Sequence, residues 1–134
     1  MLKPKITISQ EEIALVNEAA TVSVGDEKYG FANLSTSLAE IRKLKGVLGY
    51  ILRNNESAIL DLDPDEIIQY AMFSSQIHDS CQEIAKQFNL GETESMLVEG
   101  SNVKALCMSL GENKISVFME KSAAHAWIIK RILL

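Results

Sequence analysis

The stretch from Asp63 to about Asn89 constrains this chain more than any other segment. Plotted at 100° per residue, it places Tyr70, Phe73, Ile77, Cys81, Ile84 and Phe88 on one stripe, with Gln69, Gln76, Asp79, Glu83 and Gln87 opposite. The spacing predicts one long helix with an apolar face turned to a core. Asp63-Pro64-Asp65-Glu66 reads as its start, with Asp63 placed to cap, Pro64 in the first turn and Glu66 closing a capping box. On the polar side, Ile68 and Met72 stand together near the N-terminal end, which is unusual for a face meant only for water.

The flanking segments supply what such a face needs. From Phe31, Leu34, Leu38 and Ile41 recur at helical spacing until Lys43, Lys45 and Gly46 provide a cationic, glycine-stopped end. Val47-Leu48-Gly49-Tyr50-Ile51-Leu52 is an unbroken apolar run that suits a strand covered on both faces. Asn54-Asn55-Glu56 then turns the chain into a second strand, Ala58-Ile59-Leu60-Asp61-Leu62. After Leu90-Gly91, three strands are expected at Ser95 to Glu99, Val103 to Leu110 and Lys114 to Glu120, divided by Gly100-Ser101-Asn102 and Gly111-Glu112-Asn113. A last helix from Ala123 to Leu134 carries Ile128, Ile129, Ile132 and Leu133 on its apolar face, with Trp127, Lys130 and Arg131 elsewhere. The expected class is α/β (α+β), with a five-stranded antiparallel sheet between helices.

The first thirty residues read differently. Ser9-Gln10-Glu11-Glu12 has the form of a capping box, after which Ile13, Val16 and Ala20 share a helical face, and Gly25 to Gly30 reads as a loop. Residues 1–30 are therefore expected to be an extension with a short helix, and residues 31–134 the domain itself. With 134 residues, 47% of them apolar, the chain is long enough to bury a single core without disulfides. Its only cysteines, Cys81 and Cys107, lie in apolar segments and read as buried thiols. Ile6-Thr7-Ile8 is too short for the apolar core of a secretory signal, no run approaches the roughly 18 residues that span a bilayer, and no lipidation motif is present. The expectation is a cytoplasmic protein with no direct membrane insertion. A net charge of −5 without any basic run argues against nucleic acid as the partner.

Motifs that would carry chemistry fail on inspection. Asp61, Asp63 and Asp65 have the first ligand spacing of a calcium loop, yet Glu66 stands where the sharp turn needs glycine and Met72 where a bidentate glutamate is required. His78 and His125, the only histidines, have no signature linking them to a nucleophile and an orienting carboxylate, and no ligand follows either at zinc spacing. Partly buried structural roles suit both. No glycine-rich phosphate loop or dinucleotide fingerprint occurs, so no cofactor, no metal and no catalytic residue are expected.

From Phe31 onward the order is helix, two strands, long helix, three strands, helix. Together with Leu44-Lys45-Gly46-Val47-Leu48-Gly49-Tyr50-Ile51-Leu52 and Glu120-Lys121-Ser122 before the last helix, this resembles the prokaryotic type of the Roadblock (dynein light chain) domain family, a profilin-like or Roadblock/longin architecture. Asn54-Asn55-Glu56 replaces the family's usual Asp-Gly hairpin turn. The resemblance implies a dimer, homomeric or with a related subunit, in which the strand Ser95, Met96, Leu97, Val98, Glu99 pairs at the sheet edge and the long helices lie side by side. It also implies a small GTPase docking on the helix face, which on this sequence is Ile68, Met72, Ser75, Gln76 and Asp79, with cover of Ile68 and Met72 by the dimer mate as the alternative. Whether hydrolysis is stimulated or the protein only scaffolds is left open by the resemblance.

Three functions compete. A dimeric, non-enzymatic scaffold or regulator of a small Ras-like GTPase follows from the resemblance. A small-molecule-sensing domain would need a pocket between helix and sheet. An enzyme would need a convergent acid, base and nucleophile, which the sequence does not display. Trp127, beside Lys130, Arg131 and Leu134, is either a contact anchor or packed against the N-terminal extension.

Overall fold

The apolar runs pair into one antiparallel sheet. The computed structural model describes residues 5–7 and 29–134, and its elements are β1 (Lys5–Thr7), α1 (Phe31–Arg42), β2 (Val47–Arg53), β3 (Ala58–Asp61), α2 (Ile67–Gln87), β4 (Ser95–Glu99), β5 (Val103–Leu110), β6 (Asn113–Glu120) and α3 (His125–Leu133). The strand order is β1-β3-β2-β6-β5-β4. The five strands and three helices expected from Phe31 onward are all present. A sixth strand, β1, adds to the β3 edge in the register Lys5↔Asp61, Ile6↔Leu60, Thr7↔Ile59. Three residues are too few for an alternating pattern to be read from sequence. The helix expected after Ser9 lies outside the described residues.

The sheet is covered on both faces, as the unbroken run in β2 demanded. On one face α1 inserts Phe31, Leu34, Leu38 and Ile41, and α3 inserts Ile128 and Ile132, against Tyr50, Leu52, Leu106, Ile115, Val117 and Met119. On the other face α2 lays Ile67, Tyr70, Ala71 and Phe73 over Ile51, Leu62, Ala105 and Phe118. The Tyr70 ring stacks on Phe118 with centroids 4.3 Å apart, and Phe73 meets the same ring edge-on at 6.0 Å. Arg42, in the last turn of α1, donates to the Val47 carbonyl (3.1 Å) and approaches Asp61 of β3 (3.6 Å), which ties the helix end to the sheet.

Local chemistry explains the connections. Gly46 at φ 90° makes the left-handed turn into β2; it does not stop α1 as the sequence suggested, because the helix already ends at Arg42 with Lys43 as a right-handed C-cap. Gly49, where the β2–β6 register shifts, lies against β3 so closely that a Cβ there would meet the Asp61 carbonyl oxygen at 2.3 Å. Asn54 makes the β2–β3 turn, its Oδ1 accepting from the N–H of Glu56 and of Ser57, both at 2.8 Å.

Two expectations about α2 need correction. Asp63 does not cap it: Oδ1 of Asp63 accepts from the Asp65 N–H (3.0 Å) in a separate turn, and the helix begins at Ile67 with no side-chain cap. The two-residue preference of aspartate for its own backbone wins over the longer reach to a helix N-terminus. Nor does the apolar stripe face the core along its whole length. Ile84 is 52% exposed and Phe88 69% exposed. Ala85, between them, is buried against the sheet, so the helix still lies over its strands there; the predicted stripe is rotated about the helix axis away from the buried line of Ser74, His78 and Ala85, and Ile84 and Phe88 project from the flank.

Candidate functional site

Three sides of α2 have three environments. The side against the sheet is anchored in its middle by a polar cluster. Ser74 and Ser116 share a hydrogen bond of 2.6 Å between hydroxyls, Ser116 lies 3.4 Å from the Cys107 sulfur, and His78 Nε2 reaches the Ile115 carbonyl at 3.2 Å and Ser116 Oγ at 3.3 Å. A carbonyl only accepts, so Nε2 carries the proton of the neutral ring and Nδ1 is left a bare acceptor with no partner. Burial, reinforced by the charge of Arg53 and Lys114, pushes the His78 pKa down to about 4, against weaker opposing effects of the Ile115 bond and Asp79. Burial also raises the Cys107 thiol, whereas Cys81 is only half-buried. Among the described residues no cluster of His, Cys, Asp and Glu is arranged to hold a metal.

The side away from the sheet carries the residues assigned to a partner. Ile68 is 73% exposed and Met72 57% exposed, one helical turn apart, and Ser75, Gln76 and Asp79 continue the same outward surface, all exposed. The structure thus brings these five residues together on one face. Ser74, His78 and Ala85 point the opposite way, into the sheet. An apolar pair surrounded by uncharged and acidic side chains is suited to protein recognition and has no group placed for bond-making chemistry.

The third side of α2 looks along the sheet toward β4. Here Gln69, Tyr70 and Phe73 form one wall of an open cleft of about 420 Å³, with Phe118 at its base and Val98 and Gly100 on the far side. The β4 strand itself is largely exposed, with Leu97 and Val98 each more than a third accessible and only Met96 half-buried. It ends the sheet, and no strand lies beyond it among the described residues. Ile84, Phe88 and Leu90 (72% exposed) add an apolar surface at the C-terminal end of α2, where helical period alone turns the stripe inward. The signal available for it was the adjoining stripe: Ser74, His78 and Ala85 recur at helical spacing beside Phe73, Ile77 and Ile84, and only packing decides which of the two stripes meets the sheet.

On the opposite face, His125 Nδ1 lies 3.0 Å from the buried Lys104 ammonium, which also donates to the Ala123 carbonyl (2.6 Å), and so fixes the start of α3. Trp127 is about half exposed, with the Arg131 guanidinium 5.7 Å from its ring centre.

This arrangement defines a fold class: an antiparallel sheet with two helices on one face and one long helix on the other, in the order of the Roadblock/LC7 domain. No protein-family model and no curated protein sequence matches the chain. Among solved structures, it is similar to a Roadblock/LC7 domain from Streptomyces avermitilis, with 14% identity over 73% of this chain and 83% of that one, at a TM-score of 0.59. It is equally similar in fold to the gliding protein MglB from Thermus thermophilus, with 12% identity over 73% of this chain and 78% of that one, again at a TM-score of 0.59. The chain has the Roadblock/LC7 fold. No helix among the described residues is long and apolar enough to cross a membrane.

Proposed function

We propose that this chain is a non-enzymatic, cytoplasmic scaffold or regulator that dimerises through β4 and binds a small Ras-like GTPase on α2, with residues 31–134 as the working domain and residues 1–30 as an extension. The observation that carries this reading is the pairing of Ile68 and Met72 in solvent on the side of α2 turned away from both the sheet and the β4 edge. A dimer built on β4 would leave that surface free for a third chain. The Roadblock/LC7 fold supports the reading, since the family resemblance carried by the sequence implies both the dimer and the GTPase.

The test is Ile68→Asp together with Met72→Asp, assayed by calorimetry against the Ras-like GTPases of the source organism. Both side chains are exposed, so the fold should survive. Charging a contact centre of this kind costs about 2 kcal/mol or more, a loss of at least about 30-fold in affinity. Unchanged affinity for every such GTPase refutes the surface assignment. The cleft beside α2 is the one observation that favours a second reading, a small-molecule-sensing domain. That reading requires a metabolite to raise the melting temperature in a way that Phe73→Trp, which narrows the cleft, abolishes.

A further inference from the structure

The face of the sheet turned away from α2 has a groove of its own. It lies where the turn between α1 and β2 meets the start of α3, and Leu44, Lys45, Val47, Ala123, Trp127 and Ile128 border a space of about 260 Å³. Val47 and Ile128 belong to the buried core and Leu44 and Ala123 pack against it, so the floor is apolar and fixed. Gly46 lets the two sides approach: a Cβ there would meet that of Ala123 at 3.3 Å. The volume falls below the roughly 300–1,000 Å³ of sites that enclose a metabolite, and it suits one large apolar side chain of another protein.

Trp127 forms the wall toward solvent and is about half exposed. An indole at the rim of an apolar pocket is the residue type that most often dominates a protein contact. The Arg131 guanidinium, one turn further along α3, stands 5.7 Å from the ring centre, and stacking of this kind leaves the edge of the fork open to a carboxylate.

The charge around the groove is predominantly positive. Residues 121–134 contain Lys121, Lys130 and Arg131 and no acid, and Lys45 stands on the opposite wall. None of these four is in an ion pair among the described residues. Of the carboxylates at this end, Glu40 is engaged by Lys43 at 3.6 Å, and Glu120 lies beside Gly46. α3 begins with no side-chain cap and no acid in its first turn, so its dipole adds to the same potential. The chain as a whole carries a net charge of −5, and residues 63–94, which include α2, hold a single cation, Lys86. A cationic groove on an acidic protein steers an acidic partner to it, and two such faces repel one another, which disfavours a pairing of copies here. An anionic membrane is the other surface that cations and a tryptophan attract. The apolar side of α3 that lipid binding would need, Ile128 and Ile132, is already committed to the sheet.

We propose that this groove docks an acidic peptide segment of a second partner, with one large apolar side chain of the segment inserted beside Trp127 and its carboxylates on Lys45 and Arg131. The sheet separates the groove from Ile68 and Met72, so both surfaces can be occupied at once, and the inference stands whether or not a GTPase binds α2.

Trp127 is the only tryptophan of the chain, so its emission reports the groove directly. The probe is the blocked peptide Glu-Asp-Leu-Phe-Asp-Glu, titrated into the full chain at low salt. Binding should shift the emission to shorter wavelength and saturate with a dissociation constant of about 100 μM or tighter. Lys45→Glu together with Arg131→Glu, both at exposed positions, should weaken binding by about 30-fold or more, read from the anisotropy of the dye-labelled peptide. Ile68→Asp with Met72→Asp should leave it unchanged. No shift at about 1 mM peptide overturns the proposal, as does equal binding of Lys-Lys-Leu-Phe-Lys-Lys. Loss of binding in the Ile68, Met72 variant places the peptide on α2 and overturns it as well. A shift produced by phosphatidylserine vesicles and not by the peptide overturns it in favour of lipid.

Discussion

His78 makes stability depend on pH in a window that can be stated in advance. The ring is 4% exposed, its Nε2 proton is committed to the Ile115 carbonyl, and a second proton would have to sit on Nδ1, which has no acceptor. The pKa accordingly falls from 6.5 to about 4 in the native state. Because it is depressed, the unfolded chain binds more protons than the native one between those two values, and stability must fall as pH drops through this interval. The difference of about 2.5 units, at about 1.4 kcal/mol each, corresponds to about 3 kcal/mol lost between pH 7 and pH 4. Replacing His78 by Gln retains a donor for Ile115 and removes the titration. Urea unfolding at fixed protein concentration should show the wild type losing about 3 kcal/mol more than His78→Gln over that interval. Carboxylate titrations are common to both proteins and cancel in the comparison. Parallel pH profiles would refute the idea that His78 is locked neutral beneath α2.

Two further substitutions probe the packing. Gly49→Ala should destabilise the domain by about 1–3 kcal/mol, measured as a lower urea midpoint, because the new Cβ meets backbone of β3 that has no free space to yield. A neutral result there would contradict the close approach of β2 and β3. Leu38→Ala removes a fully buried side chain from the α1 face of the sheet and should cost about 2–5 kcal/mol with little change in the urea dependence. A loss under about 1 kcal/mol would show that the α1 side of the core is not closed as described.

The order of elements from Phe31 to Leu134 was legible because each is encoded within a few neighbouring residues. Asn54 carries its turn in its own side chain, Gly46 carries the turn into β2 in its freedom to adopt positive φ, and the Val47–Leu52 run announces a strand with no wet side. The outward face of Ile68, Met72, Ser75, Gln76 and Asp79 was legible for the same reason: helical period alone puts them together. What local pattern could not carry was the extent of cover. Phe88 and Ile84 continue the period of Tyr70 and Ile77, and nothing in their own spacing distinguishes a side chain against the sheet from one on the helix flank. That depends on how α2 is rotated on the strands, which is decided by contacts between distant segments. The pairing of Lys5–Thr7 with β3, the unpartnered Nδ1 of His78 and the cleft beside Phe73 likewise exist only after the sheet has formed. Sequence by itself determined which residues are helix, strand and turn, since those preferences act over one or two turns of chain; the tertiary structure alone decided which apolar surface is core and which is left for another molecule, since burial is a property of the assembled sheet.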